Sequence, residues 1–126
     1  SHLIIVHRAY QGGDEQKKME TNFISSSQVW QTCRRRIAFL DEFEIQNYRP
    51  ESNDQIFTGL DAEVFLIQVL CGLKSPLVGE TEVFGQFKTW WQAWSDNDLK
   101  LKLNPRVQQI FSIVKKVREE ALYGLG

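Results

Sequence analysis

The chain has little of what would mark a secreted or metal-binding protein. It carries only two cysteines, Cys33 and Cys71, among 126 residues. Two cysteines cannot form the disulfide framework of a small secreted domain, so we expect a reducing, cytoplasmic location. No cysteine and histidine spacing typical of a metal site occurs. We interpret His7, at the end of a predicted strand, as a structural histidine.

Long apolar runs and an excess of one charge are also lacking. No run approaches the roughly 18 apolar residues of a membrane helix, and the first residues lack the pattern of a secretory signal. The 15 Lys and Arg residues nearly balance the 16 Asp and Glu, giving a net charge of −1. This balance argues against a protein that coats nucleic acid, although a local basic patch is compatible with it. The length and the 42% apolar content predict one domain, residues 1–126, with a single core.

The first forty residues predict three strands. Residues 3–8 form a β-branched run, and residues 28–32 and 36–40 read as a second and a third strand. The connection between the last two is so short that the pair must be antiparallel. Asp14 is expected to cap a short helix that ends near Glu20.

The remaining residues are predicted to be mostly helical. Residues 43–58, with Pro50 and Asn53, are interpreted as a loop. Residues 61–71 are apolar nearly all round, which predicts a buried helix that stops at Gly72 and is followed by a short extended run at residues 75–78. A helix from Thr81 carries an aromatic stripe typical of a core, Phe84, Phe87, Trp91 and Trp94.

A last helix is expected to begin with Asn104 as its cap and Pro105 in its first turn. Its predicted apolar face consists of Val107, Ile110, Phe111, Val114 and Val117. The order strand, helix, strand, strand, helix, short strand predicts an α+β fold: a ferredoxin-like split βαβ core over about residues 2–80, with a helical extension over about residues 81–122.

Two stretches carry candidate chemistry. Cys33 is followed by Arg34, Arg35 and Arg36, whose positive charge favours a nucleophilic thiolate. The alternative is a small buried residue beside a solvated turn, and Cys71 is interpreted as core packing. Residues 72–88 read Gly-Leu-Lys-Ser-Pro-Leu-Val-Gly-Glu-Thr-Glu-Val-Phe-Gly-Gln-Phe-Lys. Three glycines among polar residues suggest a close approach to a ligand, or else only a helix stop and a helix start with capping groups.

Together these motifs resemble the glutamyl-tRNA reductase family. There the first motif reads Thr-Cys-Asn-Arg and the second Gly-Leu-Asp-Ser-x-x-x-Gly-Glu-x-Gln-Ile-x-Gly-Gln-x-Lys. His7-Arg8 and Lys115-Lys-Val-Arg118 also resemble family segments, so the resemblance covers nearly the whole chain and implies the N-terminal catalytic domain.

The resemblance implies a reaction. The family reduces glutamyl-tRNA to glutamate 1-semialdehyde for tetrapyrrole (porphyrin) biosynthesis, through a cysteine thioester that NADPH reduces. By resemblance Cys33 is the nucleophile and Arg35 the carboxylate clamp. The other substrate-binding residues implied are Thr32, Arg34, Ser75, Glu80, Thr81, Glu82 and Gln86.

The family's nucleotide domain follows this region, and no Gly-x-Gly-x-x-Gly occurs here. We therefore expect NADPH to be bound by a full-length parent and not by this chain. The parent is expected to act on glutamyl-tRNA as a homodimer, without membrane contact.

Four positions depart from the family pattern. Arg34 replaces Asn, Lys74 replaces Asp and Glu82 replaces Gln. Phe65 takes the place of the family's functional histidine, and its ring cannot exchange a proton. We expect Phe65 to face the strand end that carries Cys33. Three hypotheses stay open: a competent reductase domain, a paralogue that only binds a ligand or a protein partner, and a module that binds an anion or RNA through residues 34–36.

Overall fold

The chain folds as one antiparallel sheet covered by helices. The computed structural model describes residues 2–10, 28–72, 82–95 and 97–122, without the side chains of residues 121 and 122. The strands are β1 Ile4–Ala9, β2 Val29–Gln31, β3 Arg35–Phe39 and β4 Asp54–Thr58, in the order β2-β3-β1-β4. The helices of this described part are α1 Glu42–Asn47, α2 Leu60–Leu70, α3 Val83–Ala93 and α4 Asp98–Leu122. This arrangement confirms the α+β prediction, and the strand order is that of a ferredoxin-like sheet followed by C-terminal helices.

The two faces of the sheet bury different amounts of apolar surface. Side chains alternate along a strand, so Ile37 and Phe39 point towards α2, α3 and α4, whereas Ala38 points the other way. The helix-covered face forms the main core, and the opposite face forms a smaller cluster around Tyr48. All four residues of the predicted aromatic stripe are buried, three on α3 and Trp94 directly after it, which confirms that they pack in the core: Phe84, Phe87, Trp91 and Trp94.

The prediction of a loop over residues 43–58 is wrong, because this segment contains α1 and β4. Asp41 caps α1: its side chain accepts a hydrogen bond from the Glu44 N–H at 2.7 Å, and the Glu44 side chain accepts one from the Asp41 N–H at 3.0 Å. Pro50 and Asn53 lie in the connection between α1 and β4, and their turn-forming character led to the prediction of a loop where the five-residue strand β4 follows. The strand predicted at residues 75–78 and the helix predicted at residues 14–20 lie outside the described residues.

The last helix begins earlier than predicted. It starts at Asp98, where the side chain of Asn97 accepts a hydrogen bond from the Lys100 N–H at 2.8 Å. Pro105 is therefore inside α4, where its ring removes one helical hydrogen bond. Asn104 does not cap the helix; its Oδ1 accepts a hydrogen bond from Trp91 Nε1 at 2.9 Å and so ties α4 to α3.

Two apolar surfaces are smaller than the sequence predicted. On α2 the residues Leu60 and Val64 are 73% and 44% exposed, so this helix is buried on one side only. On α4 the buried face ends at Val114, because Val117 is 40% exposed. The predicted stop of α2 is confirmed, since Gly72 has a φ of 81° directly after the helix. None of the described helices combines the length and apolar composition of a membrane span.

Candidate functional site

The turn between β2 and β3 displays Cys33 to solvent. The Thr32 side chain organises this turn, since its Oγ1 accepts hydrogen bonds from the N–H groups of Arg34 at 3.1 Å and of Arg35 at 3.2 Å. The Thr32 N–H in turn donates to the Arg35 carbonyl at 2.9 Å. Cys33 is free and exposed at the tip. A short, hydrogen-bonded turn between two paired strands therefore holds the thiol on a rigid base.

Among the residues that the structure describes, Cys33 lines a cavity of about 1210 Å³, which we call the larger cavity. The start of α3 forms the opposite wall, where Glu82 and Gln86 are exposed. Four residues that the family resemblance implies for the site line this cavity: Thr32, Cys33, Glu82 and Gln86. The remaining lining is Trp30, Gln31, Val83, Gly85, Thr89 and Trp90.

Arg35 lines a different, smaller cavity of about 600 Å³. It is only 8% exposed, and strand alternation places it on the face that carries Ile37 and Phe39. Only Arg34 lies between Cys33 and Arg35 in the chain, so the Cα atoms of Cys33 and Arg35 are at most about 7 Å apart. Strands β1, β3 and β4 and helix α2 contribute its lining: His7, Ala9, Arg35, Gln55, Phe57, Leu60, Asp61, Val64, Phe65 and Gln68.

The three consecutive arginines do not form one patch. Arg34 is half-buried, whereas Arg36 points to the sheet face opposite Arg35 and lies directly across from Arg8 in the register with β1. Arg8 binds Asp54 at 2.6 Å and Glu51 at 2.8 Å. A binding surface built from all three guanidinium groups would have to reach both faces of the sheet, which disfavours the hypothesis of an anion or RNA module at residues 34–36.

The sheet face that carries Arg8 holds a hydrogen-bonded network in which the pKa values of Tyr48 and Asp54 differ from their ordinary values. The Tyr48 hydroxyl donates to Asp54 Oδ2 at 2.5 Å. Burial alone would raise the pKa of Asp54, but hydrogen bonds from Arg8, from Tyr48 and from the Glu51 N–H together lower it below its ordinary value. Burial, and then the hydrogen bond to Asp54, raises the pKa of Tyr48. The side chains of Arg8 and Asp54 are almost completely buried, so we assign the network to the stability of the sheet.

Phe65 lies in the cavity of Arg35. Its ring stacks on Phe57, with centroids 4.3 Å apart, and packs at 4.8 Å against His7. The described residues that line the Cys33 cavity do not include Phe65. An apolar ring on α2 therefore stands where the family resemblance implies a histidine, and it lines the cavity of Arg35.

His7 is the polar residue of this region whose contacts the sequence did not predict. It is 5% exposed, with Nδ1 at 2.9 Å from Gln55 Oε1 and Nε2 at 3.3 Å from an Arg35 guanidinium nitrogen. Its position at a strand end was visible, but its partners follow from the register of three strands. Within the described residues no group of His, Cys, Asp and Glu is arranged to hold a metal ion.

Ser75, Glu80 and Thr81 lie outside the described residues. Cys71 is half-buried against the main core, as predicted, and burial raises its pKa although Arg118 acts in the opposite direction.

Comparisons with known proteins match this chain to one family. The family model described as "Glutamyl-tRNAGlu reductase, N-terminal domain" matches residues 9–121. The glutamyl-tRNA reductase of Akkermansia muciniphila is 45% identical over 69 residues, which is 54% of this chain and 20% of that protein. Those of Pseudoalteromonas atlantica and Pseudoalteromonas translucida are each 34% identical, over 57% and 68% of this chain and 17% and 19% of theirs.

The comparison with solved structures gave no match. The chain spans about a fifth of the length of the curated relatives it matches. Because the family model covers nearly the whole sequence, the chain belongs to the family of glutamyl-tRNA reductase N-terminal domains.

Proposed function

We propose that this chain binds the glutamyl end of glutamyl-tRNA and forms a thioester with it at Cys33. The observation that carries the proposal is the β2–β3 turn, which presents an exposed thiol to one cavity and, two residues later, a buried guanidinium to another. A nucleophile and a cation in that order suit an ester whose acyl group carries a carboxylate. The family membership of the chain supports the same substrate.

The chemistry follows from the two groups. The Cys33 thiolate attacks the ester carbonyl carbon, a C–S bond forms, the C–O bond to the terminal ribose breaks, and the ribose oxygen takes up a proton. The ester uses the α-carboxyl group, so the only free carboxylate of the glutamyl group is on its side chain. The planar guanidinium of Arg35 matches that carboxylate with two parallel hydrogen bonds. In the larger cavity Glu82 offers negative charge to the α-ammonium group.

The residues present do not fit NADPH. A nicotinamide dinucleotide is bound by a parallel βαβ unit with a glycine-rich turn, whereas the sheet in the described part of the chain is antiparallel throughout. We therefore derive no hydride step for this chain. Under the proposal, NADPH-dependent reduction to glutamate 1-semialdehyde and assembly into a homodimer belong to a full-length cytoplasmic parent.

A second candidate is a domain that binds glutamyl-tRNA, or a partner, without completing the reaction. It is favoured by Phe65, which brings an apolar ring to the place of the family's histidine. Without a proton donor for the departing ribose oxygen, thioester formation would be slow.

The experiment that tests the proposal detects the acyl group on the protein. The chain is incubated with glutamyl-tRNA, quenched in acid and weighed by intact-protein mass spectrometry, with the Cys71→Ser variant as the matched control. We expect a hydroxylamine-sensitive glutamyl adduct on the wild type and on Cys71→Ser, and none on Cys33→Ser. An adduct that persists in Cys33→Ser would overturn the proposal. Binding of glutamyl-tRNA without any adduct would favour the second candidate.

A further inference from the structure

The buried imidazole of His7 connects two strands through its two ring nitrogens. In the register of the sheet, Gln55 of β4 lies directly across from His7 of β1. Arg35 of β3 lies on the other side, one diagonal step away, because its own partner is Ala9. Diagonal neighbours are within reach of long side chains. The sheet therefore brings Gln55, His7 and Arg35 into a row across three strands. All three side chains line the smaller cavity.

The donors and acceptors in this row fix the state of the ring. A guanidinium group only donates hydrogen bonds, so Nε2 of His7, at 3.3 Å, must accept from Arg35. A ring that accepts at Nε2 carries its proton on Nδ1, which then donates to Gln55 Oε1 at 2.9 Å. His7 is thus neutral in this arrangement and both of its nitrogens are engaged.

This assignment separates His7 from the catalytic histidine that the family resemblance implies. Its ring packs against Phe65, the residue at that histidine's place. However, its Nδ1 proton is donated to Gln55 and its Nε2 lone pair faces a cation. His7 therefore does not replace the missing histidine as a proton donor to the departing ribose oxygen.

We propose that His7, oriented by Gln55, is a positioning residue that aims the Arg35 guanidinium at the bound carboxylate. Arginine has a long side chain that loses freedom on binding, and an acceptor that holds it in place beforehand reduces that loss. The stacked rings of Phe57 and Phe65 line the same cavity, and the contact of Phe65 with the His7 ring restricts its rotation. This inference rests on the proposed function, in which Arg35 binds the glutamyl carboxylate.

The first test is a double-mutant cycle on ligand binding. The probe is a glutamyl-adenosine analogue in which an amide replaces the ester, and its affinity is measured by calorimetry. Arg35→Ala should weaken binding about 10- to 100-fold. His7→Leu should weaken binding about 5- to 10-fold in the wild type but less than about twofold in Arg35→Ala, because the two residues act as one unit. His7→Gln, which restores an acceptor, should recover most of the loss.

The outcomes separate the inference from the proposed function. If Arg35→Ala binds as well as the wild type, the proposed role of Arg35 fails. If Arg35→Ala is weakened but His7→Leu is not, or if the two losses add, the positioning role of His7 is overturned. A merely structural role predicts additive losses.

The second test needs no ligand. Nitrogen chemical shifts of the His7 ring, measured in the intact chain near neutral pH, should show the Nδ1–H tautomer. Gln55 is exposed, so the Gln55→Leu variant should fold. In this variant the His7 ring should populate both neutral tautomers, and binding of the analogue should weaken about two- to fourfold. An Nε2–H tautomer in the wild type would overturn the inference even if the proposed function holds.

Discussion

The two cavities beside the β2–β3 turn differ in exposure and in the chemistry of their walls. The larger one joins the turn to the start of α3, and most of its polar lining is exposed, Cys33 included. The smaller one lies between three strands and α2 and contains two buried polar residues, His7 and Arg35. An open cavity lets a macromolecule reach the thiol. A buried guanidinium interacts more strongly with a carboxylate because fewer waters screen the pair. Under the proposed function, nucleophilic attack and carboxylate recognition would therefore take place in two different cavities beside one turn.

The test with the largest expected effect asks whether both cavities take part in one reaction. Phe65→His places a proton donor in the smaller cavity and should accelerate thioester formation at Cys33 by about 10²–10⁴-fold. Rapid-quench mass spectrometry of the glutamyl adduct measures the rate in a single turnover.

Phe57→His is the matched control, because this ring stacks on Phe65 in the same cavity. We expect no comparable acceleration there. Equal rates in the wild type and in Phe65→His would mean that the two cavities do not serve one reaction.

The second test concerns the two thiols. Cys33 is exposed in the larger cavity, whereas burial raises the pKa of Cys71 and keeps it protonated. Iodoacetamide at graded pH, with site assignment by mass spectrometry, should modify Cys33 nearly completely before Cys71 reacts. Preferential labelling of Cys71 would remove the larger cavity as the place of attack.

The third test concerns the opposite face of the sheet, which we assign to stability alone. Asp54→Asn removes the main partner of the buried Arg8 and should lower the free energy of unfolding at neutral pH by about 1.5–3 kcal/mol. The pKa of Asp54 is lowered in the folded state, so the stability it contributes is present above its unfolded pKa, about 3.9, and is lost as the pH falls through the folded value.

Urea unfolding between pH 2 and pH 7 measures both effects. The variant should lose this part of the acid dependence, and Cys33 labelling should not change. A faster or slower Cys33 reaction in Asp54→Asn would show that the two faces are coupled.

The smallest expected effect is that of Gly85→Ala on α3. A Cβ added at Gly85 meets nothing within 4 Å, and alanine stabilises a helix interior by about 0.5–1 kcal/mol relative to glycine. Gly85 lines the larger cavity, and the added methyl group meets open space there. We expect a higher urea midpoint with unchanged binding at Arg35. A lower midpoint would indicate that this helix position is not open.

The sequence predicted the elements whose patterns are local. The β2–β3 hairpin, the core stripe of α3 and the stop at Gly72 follow from side-chain periodicity and glycine chemistry. β4 was missed because its short run of mixed residues is an edge strand whose partner, β1, lies almost fifty residues earlier. The start of α4 was misplaced because Asn104-Pro105 has the chemistry of a cap, while Asn97 performs that role.

The sequence named candidate site residues but did not predict how they are arranged. Thr32, Cys33, Glu82 and Gln86, which the family resemblance implied as site residues, line one cavity, and their roles stay a prediction. The separation of Arg35 from them depends on where the turn ends and strand alternation begins, which motif spacing does not specify. The row from Gln55 through His7 depends on the register of β4, an element that the sequence did not reveal.

The central place of β1 in the sheet has a consequence for folding. The turn 32–34 closes the β2–β3 hairpin locally, which typically takes about 1–10 μs. By contrast, β1 pairs at Ile5 with Phe39 and at His7 with Gln55, so its docking closes much longer loops and is expected to be slower. In a growing polypeptide, this first and most apolar strand emerges before any of its partners. Until residue 39 has been synthesised, Ile4 and Ile5 lie on an unpaired strand that neighbouring chains can join, and this interval is where we expect aggregation to compete with folding.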